Sequence, residues 1–431
     1  MRLTHFALLA CTALVLAGCN DTLETVERDV SHIKNKVDYP LSPSILAEID
    51  KKGMDRTSPI MIRIFKEEGA LEIWKAKRDN RFDKIAEYQI CAWSGKLGPK
   101  VKEGDRQAPE GFYNLTPAHL NPNSKYYLAI NTGFPNRYDA ANGRNGTNLM
   151  IHGACSSSGC YSMTDAQILE IYGFARDAFK GGQKTVQLQA FPFRMTAENM
   201  ARHRKSEHLE FWKMLKVGYD NFEVTKRPPE VNVCEKKYVF NQQAEGGSFN
   251  ASAQCPPMST PPALVSALSS YEKTYELAYE KAMKKYEGMA WYDPSEAERK
   301  ALVAEKRKGR DPAYAPTGSA LKAGKLMKET EYAALMEKKA QQVTSSSPAT
   351  TATASALRGP RPSANQPATA PQSNPAPAAP TMVASATPAA GQTGAAAQSV
   401  PVPAMNPLAY SAAPAPEAPE KKPFWKFWAK E

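Results

Sequence analysis

Between Ser363 and Pro416 this 431-residue chain carries no charged residue, and from Thr344 to Glu420 it is dominated by Ala, Pro, Ser and Thr. Such a stretch cannot bury enough apolar surface to offset the entropy lost on ordering it. A disordered, partly polyproline-II tether is expected over 344–420, so any fold must come from what precedes it. The chain closes on a basic aromatic tip, Lys421-Lys422-Pro423-Phe424-Trp425-Lys426-Phe427-Trp428-Ala429-Lys430. That composition suits docking on an anionic membrane surface or a partner. With 42% hydrophobic residues overall, ample apolar material remains for a core ahead of the tether.

That earlier part reads as many short strands. Pro59–Lys66 and Ala70–Lys75 flank a Glu67-Glu68-Gly69 turn, the pattern of a hairpin. Ile85–Trp93, Tyr126–Ile130, Leu149–His152 and Thr185–Phe193 are further strands. Gly104-Asp105, Pro109-Glu110-Gly111 and Asn121-Pro122 punctuate the chain between them. Helices are expected at Ser44–Lys52, with Ser44 as N-cap and Gly53 as stop, and at Asp165–Phe179. The fold class that follows is mainly β, a catalytic domain of roughly 170 residues over 55–225. Beyond it, Cys234 and Cys255 bracket a Gly/Asn-rich loop and are expected to pair, a bridge worth about 3 kcal/mol. Helices follow at Ala263–Tyr286, with Leu264, Leu268, Tyr271, Tyr275 and Tyr279 at helical spacing, at Pro294–Lys308 and at Lys325–Val343. This extension, 226–343, reads as packing or partner-binding structure. No internal repeat is present.

The N-terminus points to export. Arg2 precedes an apolar run, Phe6–Ala17, too short to span a bilayer, which needs about 20 residues. Leu16-Ala17-Gly18-Cys19 then resembles a bacterial lipobox, which makes 1–18 a signal peptide and Cys19 a lipidated first residue, with 19–54 as spacer; the alternative is an ordinary signal peptide that contains a Cys. Either way the mature chain reaches a compartment where disulfides persist, and a Cys19 anchor would hold it on a cell-envelope membrane facing the periplasm. The net charge of +11 comes with no nucleic-acid-binding signature. Anionic wall polymer or lipid headgroups suit it better as counterparts than nucleic acid.

The chemistry concentrates in Met150–Asp165, MIHGACSSSGCYSMTD, where His152 stands eight residues ahead of Cys160. A thiolate is a strong nucleophile, and a nearby imidazole can take its proton. Gly153 and Gly159 leave room for a substrate backbone and free N–H groups for an oxyanion. Two other readings stay open at this level. His152, Cys155 and Cys160 could ligate a metal, although no other histidine offers a convincing fourth ligand; alternatively, Cys155 and Cys160 could form a disulfide.

Several separated motifs occur in an order similar to that of the YkuD-type L,D-transpeptidase catalytic domain, in its YafK-like branch. They are Arg63-Ile64-Phe65-Lys66, Gly98-Pro99-Lys100 with Gly104-Asp105, Pro109-Glu110-Gly111-Phe112-Tyr113, Phe134-Pro135-Asn136 through Asp139, Gly143-Arg144, the MIHG run, Ser158-Gly159-Cys160-Tyr161-Ser162-Met163-Thr164-Asp165 and Phe191-Pro192-Phe193-Arg194-Met195. The resemblance covers residues 55 to about 225. It implies a β-sandwich-like fold, peptidoglycan stem peptides as substrate, and Cys160 as a nucleophile attacking the L-centre of meso-diaminopimelate. His152 is the implied general base and acid, with the N–H groups of Gly159 and Cys160 holding the oxyanion near Ser158. Arg144, Gly153 and Tyr161 are implied at the substrate. Ser158 stands where the wider family carries a second histidine, so the base chemistry falls to His152. Neither metal nor organic cofactor is implied. The branch also includes hydrolases that release a wall-linked protein or peptide amine, so three readings follow: transpeptidase, amidase detaching an envelope protein, and non-catalytic wall-binding lipoprotein.

Overall fold

A computed structural model of the chain describes residues 29–155, 159–307 and 324–345. Cys19, Ser158, the tether and the aromatic tip lie outside the described residues. Helix α1 (Pro43–Lys51) starts one residue earlier than its sequence suggests. Ser42, not Ser44, is the N-cap, its hydroxyl accepting from the Ile45 N–H at 3.4 Å, and Pro43 supplies the preset φ of the first turn. Strands β1 (Ile60–Phe65), β2 (Ala70–Ala76) and β3 (Phe82–Gln89) form an antiparallel meander. β4 (Ala92–Trp93) leaves for a second sheet. There follow β5 (Gly111–Leu115), β6 (Leu120–Asn121), β7 (Ala129–Asn131), α2 (Arg137–Ala141), β8 (Met150–His152), β9 (Tyr161–Ser162), α3 (Asp165–Lys180) and β10 (Val186–Phe191).

Two five-stranded sheets result, in the orders β3-β2-β1-β10-β5 and β4-β9-β8-β7-β6. The fold is mainly β with flanking helices, as the strand pattern leads one to expect. Every residue of β1 and β10 is buried, which fits a central parallel pair covered on both faces. Arg63 is the polar residue in β1. Its guanidinium meets Glu223 at 2.7 Å and lies 4.3 Å from the Tyr219 ring centroid, so charge and aromatic faces replace its lost water. Glu223 and Tyr219 belong to α5 (Leu209–Thr225), which follows the short α4 (Ala197–Arg202). Helix α3 touches β1 of one sheet and β7 and β8 of the other, and so joins the two.

Lys66, just after β1, is fully buried. Its ammonium sits among the carbonyls of Lys96, Gly98 and Ala108 and the Glu110 carboxylate, at 2.8–3.1 Å. This buried pair fixes both ends of the 96–110 segment, which passes beside β9.

The core does not stop at residue 225. Hairpin β11 (Val231–Cys234) and β12 (Lys237–Phe240) contributes Val233, Tyr238 and Phe240 to the main cluster. Cys234 and Cys255 are disulfide-bonded, with Cα atoms 5.1 Å apart. β13 (Gln243–Ala244) and β14 (Met258–Ser259) form a short pair ahead of the long α6 (Pro262–Lys285). β15 (Met289–Tyr292) and α7 (Glu296–Arg307) follow. The segment expected to open a helix at Lys325 is instead a strand, β16 (Lys325–Lys328), paired antiparallel to β15, and α8 (Glu329–Ser345) begins only after it. Among the described residues no helix is long and apolar enough to cross a membrane.

Candidate active site

His152 ends β8 and Cys160 immediately precedes β9. The two strands run parallel, with Ile151 level with Tyr161 and His152 level with Ser162. Residues on the same register of a parallel pair point to the same face, and alternation places Met150 and Cys160 on the face of His152. The Met150 N–H lies 3.4 Å from the Cys160 sulfur, as that register requires, and the thiol is 3.6 Å from the Asn148 carbonyl. Ile151 and Tyr161, on the opposite face, are wholly buried. The sheet thus sets the thiol and the imidazole on one side of a two-strand unit and packs the other side into the core.

The imidazole is oriented on both flanks. Its Nδ1 is 2.6 Å from the Gly153 carbonyl. A carbonyl can only accept, so Nδ1 carries the proton and Nε2 is left as the basic atom. The Tyr126 ring lies over the imidazole with centroids 4.6 Å apart, and Tyr126 is 49% exposed. Burial pushes the His152 pKa below its ordinary 6.5. Burial also pushes the Cys160 thiol above 9.0, opposed by the Met150 N–H and the positive charge of Lys100. Both shifts favour the uncharged forms, a thiol and a neutral imidazole, over an ion pair.

Cys155 is bonded to Cys91, with Cα atoms 5.2 Å apart. Cys155 therefore does not pair with Cys160 and has no thiolate to offer a metal, which removes both rival readings of this run. Among the described residues Cys160 is the cysteine outside both disulfides, and these residues contain no group of His, Cys, Asp and Glu placed to hold a metal ion. The Cys155 N–H donates to the Met163 carbonyl at 3.1 Å, and the disulfide ties the same residue to the entrance of β4. The loop between His152 and Cys160 is thereby fastened at its middle.

The three residues expected at the substrate are engaged by neighbours within the protein. Arg144 points its guanidinium at Asp139, 3.1 Å away, and lies 4.9 Å from both the Tyr138 and Phe211 ring centroids, so its charge and face are already engaged. Tyr161 is buried, its hydroxyl donating to the Pro109 carbonyl at 2.5 Å. Gly153 is not open to a ligand: a Cβ there would stand 2.4 Å from Asp165 Oδ1 and 2.9 Å from the Tyr126 carbonyl. Its glycine serves this close approach, while the Asp165 carboxylate accepts the Ala154 N–H at 2.8 Å. Gly159 has φ +108°, a conformation that suits glycine, as the chain turns into Cys160. Sequence offers Tyr126 as a cleft wall but favours core packing for it, and its 49% exposure beside His152 fits the wall; Cys91 and Asp165 were not singled out for these roles, and of these two only Asp165 lay inside a recognisable motif.

Comparison with known proteins bears on this geometry. Residues 66–186 match the YkuD family, the L,D-transpeptidase catalytic domain. The chain is 49% identical over 185 residues to YafK of Escherichia coli strain K12, named as an L,D-transpeptidase, covering 43% of this chain and 75% of that protein. The same figures hold for YafK of Escherichia coli O157:H7. Among solved structures, the helical cell shape determining protein Pgp2 of Campylobacter jejuni is 18% identical, with a TM-score of 0.25. That match covers 44% of this chain and 79% of Pgp2.

Proposed function

The chain belongs to the YkuD-type L,D-transpeptidase family, in its YafK-like branch, and from that premise we propose that it is a periplasmic cysteine acyltransferase acting on peptidoglycan stem peptides. Cys160 attacks the carbonyl at the L-centre of meso-diaminopimelate while Nε2 of His152 takes the thiol proton. The S–C bond forms, the C–N bond of the departing amine breaks, and His152 returns the proton to that amine. An acceptor amine then attacks the thioester and regenerates the thiol, giving a new cross-link; water in the same place gives hydrolysis. The backbone N–H groups of Gly159 and Cys160, near Ser158, hold the oxyanion, each such donor being worth about 3 kcal/mol.

The observation that carries this reading is the parallel β8–β9 register. It sets the Cys160 thiol on the face of an imidazole whose Nδ1 is committed to the Gly153 carbonyl. The direction of both pKa shifts, toward neutral imidazole and neutral thiol, supports general-base attack from a thiol rather than a standing thiolate. The proposed setting is the periplasmic face of a cell-envelope membrane, with Cys19 as lipid anchor, 55–225 as the catalytic region and 226–343 as its extension.

Incubation with a carbapenem followed by intact-protein mass spectrometry tests the nucleophile. A covalent adduct on Cys160, abolished in Cys160→Ala and slowed in His152→Ala, is expected; no adduct on the wild-type protein returns the chain to the wall-binding reading. Muropeptide digestion then separates the two outcomes. Cross-linked or exchanged products mean transfer, whereas released amine with a free carboxylate means hydrolysis.

A further inference from the structure

Tyr127 has φ +67°, in the left-handed region. A bulky side chain is disfavoured there, and such a residue persists only where its surroundings hold it. Its holders come from a distant part of the chain. The Lys36 ammonium donates to the Tyr127 carbonyl at 2.8 Å and lies 4.5 Å from the Tyr127 ring centroid. The Tyr127 hydroxyl donates to the Val30 carbonyl at 2.9 Å. Val30 is buried in the main core cluster, against which Tyr127 packs. The carbonyl, ring and hydroxyl of this one residue are thus each met by Lys36 or Val30.

The stretch that supplies these contacts is itself seated on the fold. The Arg176 guanidinium, in α3, donates to the carbonyls of Val37 and Tyr39 at 2.8 and 2.7 Å. Arg176 is buried and its Nε donates to Asp177 at 2.8 Å. The same helix begins at Asp165, whose carboxylate accepts the Ala154 N–H in the loop after His152.

What the turn at Tyr127 accomplishes lies on either side of it. Ala129 stands directly opposite His152 across the antiparallel β7–β8 pair, and so on the same face. In a regular strand, Tyr126 would then face the other way. Instead its ring lies over the imidazole, with centroids 4.6 Å apart, and its carbonyl accepts the Gly153 N–H at 3.1 Å. Leu128 meanwhile is wholly buried. The alternation is broken once between Tyr126 and Ala129, and the left-handed Tyr127 marks the break.

We propose that residues 30–39 form part of the active site, and that Lys36 is a positioning residue for His152, acting through Tyr126. This rests on His152 being the base of the proposed reaction and adds what fixes its aromatic cover. By holding Tyr127 in its turn, Lys36 keeps the Tyr126 ring on the imidazole. With Nδ1 committed to the Gly153 carbonyl at 2.6 Å and one ring face covered, the imidazole is held in a single orientation, as a proton-transferring base requires.

The test is a double-mutant cycle on carbapenem acylation of Cys160 in the full chain, measured as rate per folded molecule. Lys36→Met keeps the stem but removes donor and charge, and should slow acylation about three- to tenfold. Lys36→Arg retains both and should restore the rate. Tyr126→Leu should slow acylation at least as much, and adding Lys36→Met to it should cost nothing further. An unchanged rate in Lys36→Met, or a loss in the double variant equal to the product of the single losses, overturns the proposal. The second readout is the His152 ring-proton chemical shift in the chain carrying isotope-labelled histidine, assigned with His152→Gln. The Tyr126 ring current moves this signal upfield, and Lys36→Met should carry it toward its position in Tyr126→Leu. The shift does not depend on Cys160 reacting. A signal unmoved in Lys36→Met, with the wild-type adduct present, overturns the role of Lys36 and leaves the nucleophile reading standing. A moved signal with no adduct on the wild-type protein supports the coupling of Lys36 to Tyr126 and removes the nucleophile reading.

Discussion

At the scale of single residues, the proposed mechanism makes the imidazole set the pH response. It requires neutral His152, whose pKa burial holds below 6.5. Activity should therefore be retained from neutral pH down past 6.5 and fall only at lower pH. A rate profile whose acid limb is centred above 6.5 contradicts this. A second titration belongs to Glu68, in the turn after β1, which burial pushes up to about 7 from 4.5. Its raised pKa means the folded chain holds this proton more tightly than the unfolded chain. The stability this lends is complete below 4.5 and is lost as pH rises through about 7. Glu68→Gln keeps an acceptor for the Arg194 and Asn199 donors. It should be the more stable form above pH 7, by up to about 3 kcal/mol, with the difference vanishing near pH 4; urea unfolding at the two pH values measures it.

At the scale of elements, the feature with the largest expected effect is the fastening of the nucleophile loop. The Cys91–Cys155 bridge closes 64 residues, and loop-entropy arithmetic assigns such a bridge about 4 kcal/mol. Cys91→Ser should lower the melting temperature by an amount consistent with that figure. It should also slow Cys160 acylation beyond the loss of folded protein, since Cys155 lies in the loop between His152 and Cys160. If acylation per folded molecule is unchanged, the bridge serves stability alone. Gly153→Ala, which drives a methyl group into Asp165 and the Tyr126 carbonyl, should disturb His152 and cost about 1–3 kcal/mol of stability, with less carbapenem adduct per folded molecule than the wild type.

Elements also show what the sequence made legible. The β1–β2 hairpin was readable because two apolar, strand-forming runs flank an obvious turn, and the His–Cys run because its chemistry is local. Helix α5 was not, although Trp212, Leu215, Tyr219 and Phe222 follow a helical stripe and all are buried. Gly218 interrupts that stripe for a tertiary reason, since a Cβ there would stand 2.4 Å from the Phe112 ring and 2.5 Å from that of Phe240. β16 was hidden in the opposite way: Lys-Leu-Met-Lys favours helix, and pairing with β15 overrides it. The Cys91–Cys155 pair left no local spacing to read. Arg144 looked like an anion clamp because its partner, Asp139, meets it only once α2 has turned the chain back on itself.

At the scale of the whole molecule, the extension after residue 225 is bonded into the catalytic region. The Asp293 carboxylate accepts the Leu97 N–H at 3.1 Å, and the Arg299 guanidinium lies 4.3 Å from the Trp93 ring centroid, in the strand paired with β9. Asp293→Ala with Arg299→Ala should therefore loosen the segment leading to Lys100 and lower turnover, leaving the Cys234–Cys255 hairpin intact. Hydrogen exchange over residues 94–107 is the measurement, and unchanged protection there would show that the extension is merely adjacent.

The N-terminal segment is pinned to the same region from the other side. Lys36 donates to the Tyr127 carbonyl at 2.8 Å, and the Tyr127 hydroxyl donates to the Val30 carbonyl at 2.9 Å, next to the tyrosine that covers His152. Were Cys19 lipidated as proposed, that clamp would make the intervening segment a leash of limited length. Eleven residues separate Cys19 from Val30, and fully extended they reach at most about 40 Å. On that proposal the face carrying His152 and Cys160 would reach only a thin shell of wall beside the membrane that holds Cys19.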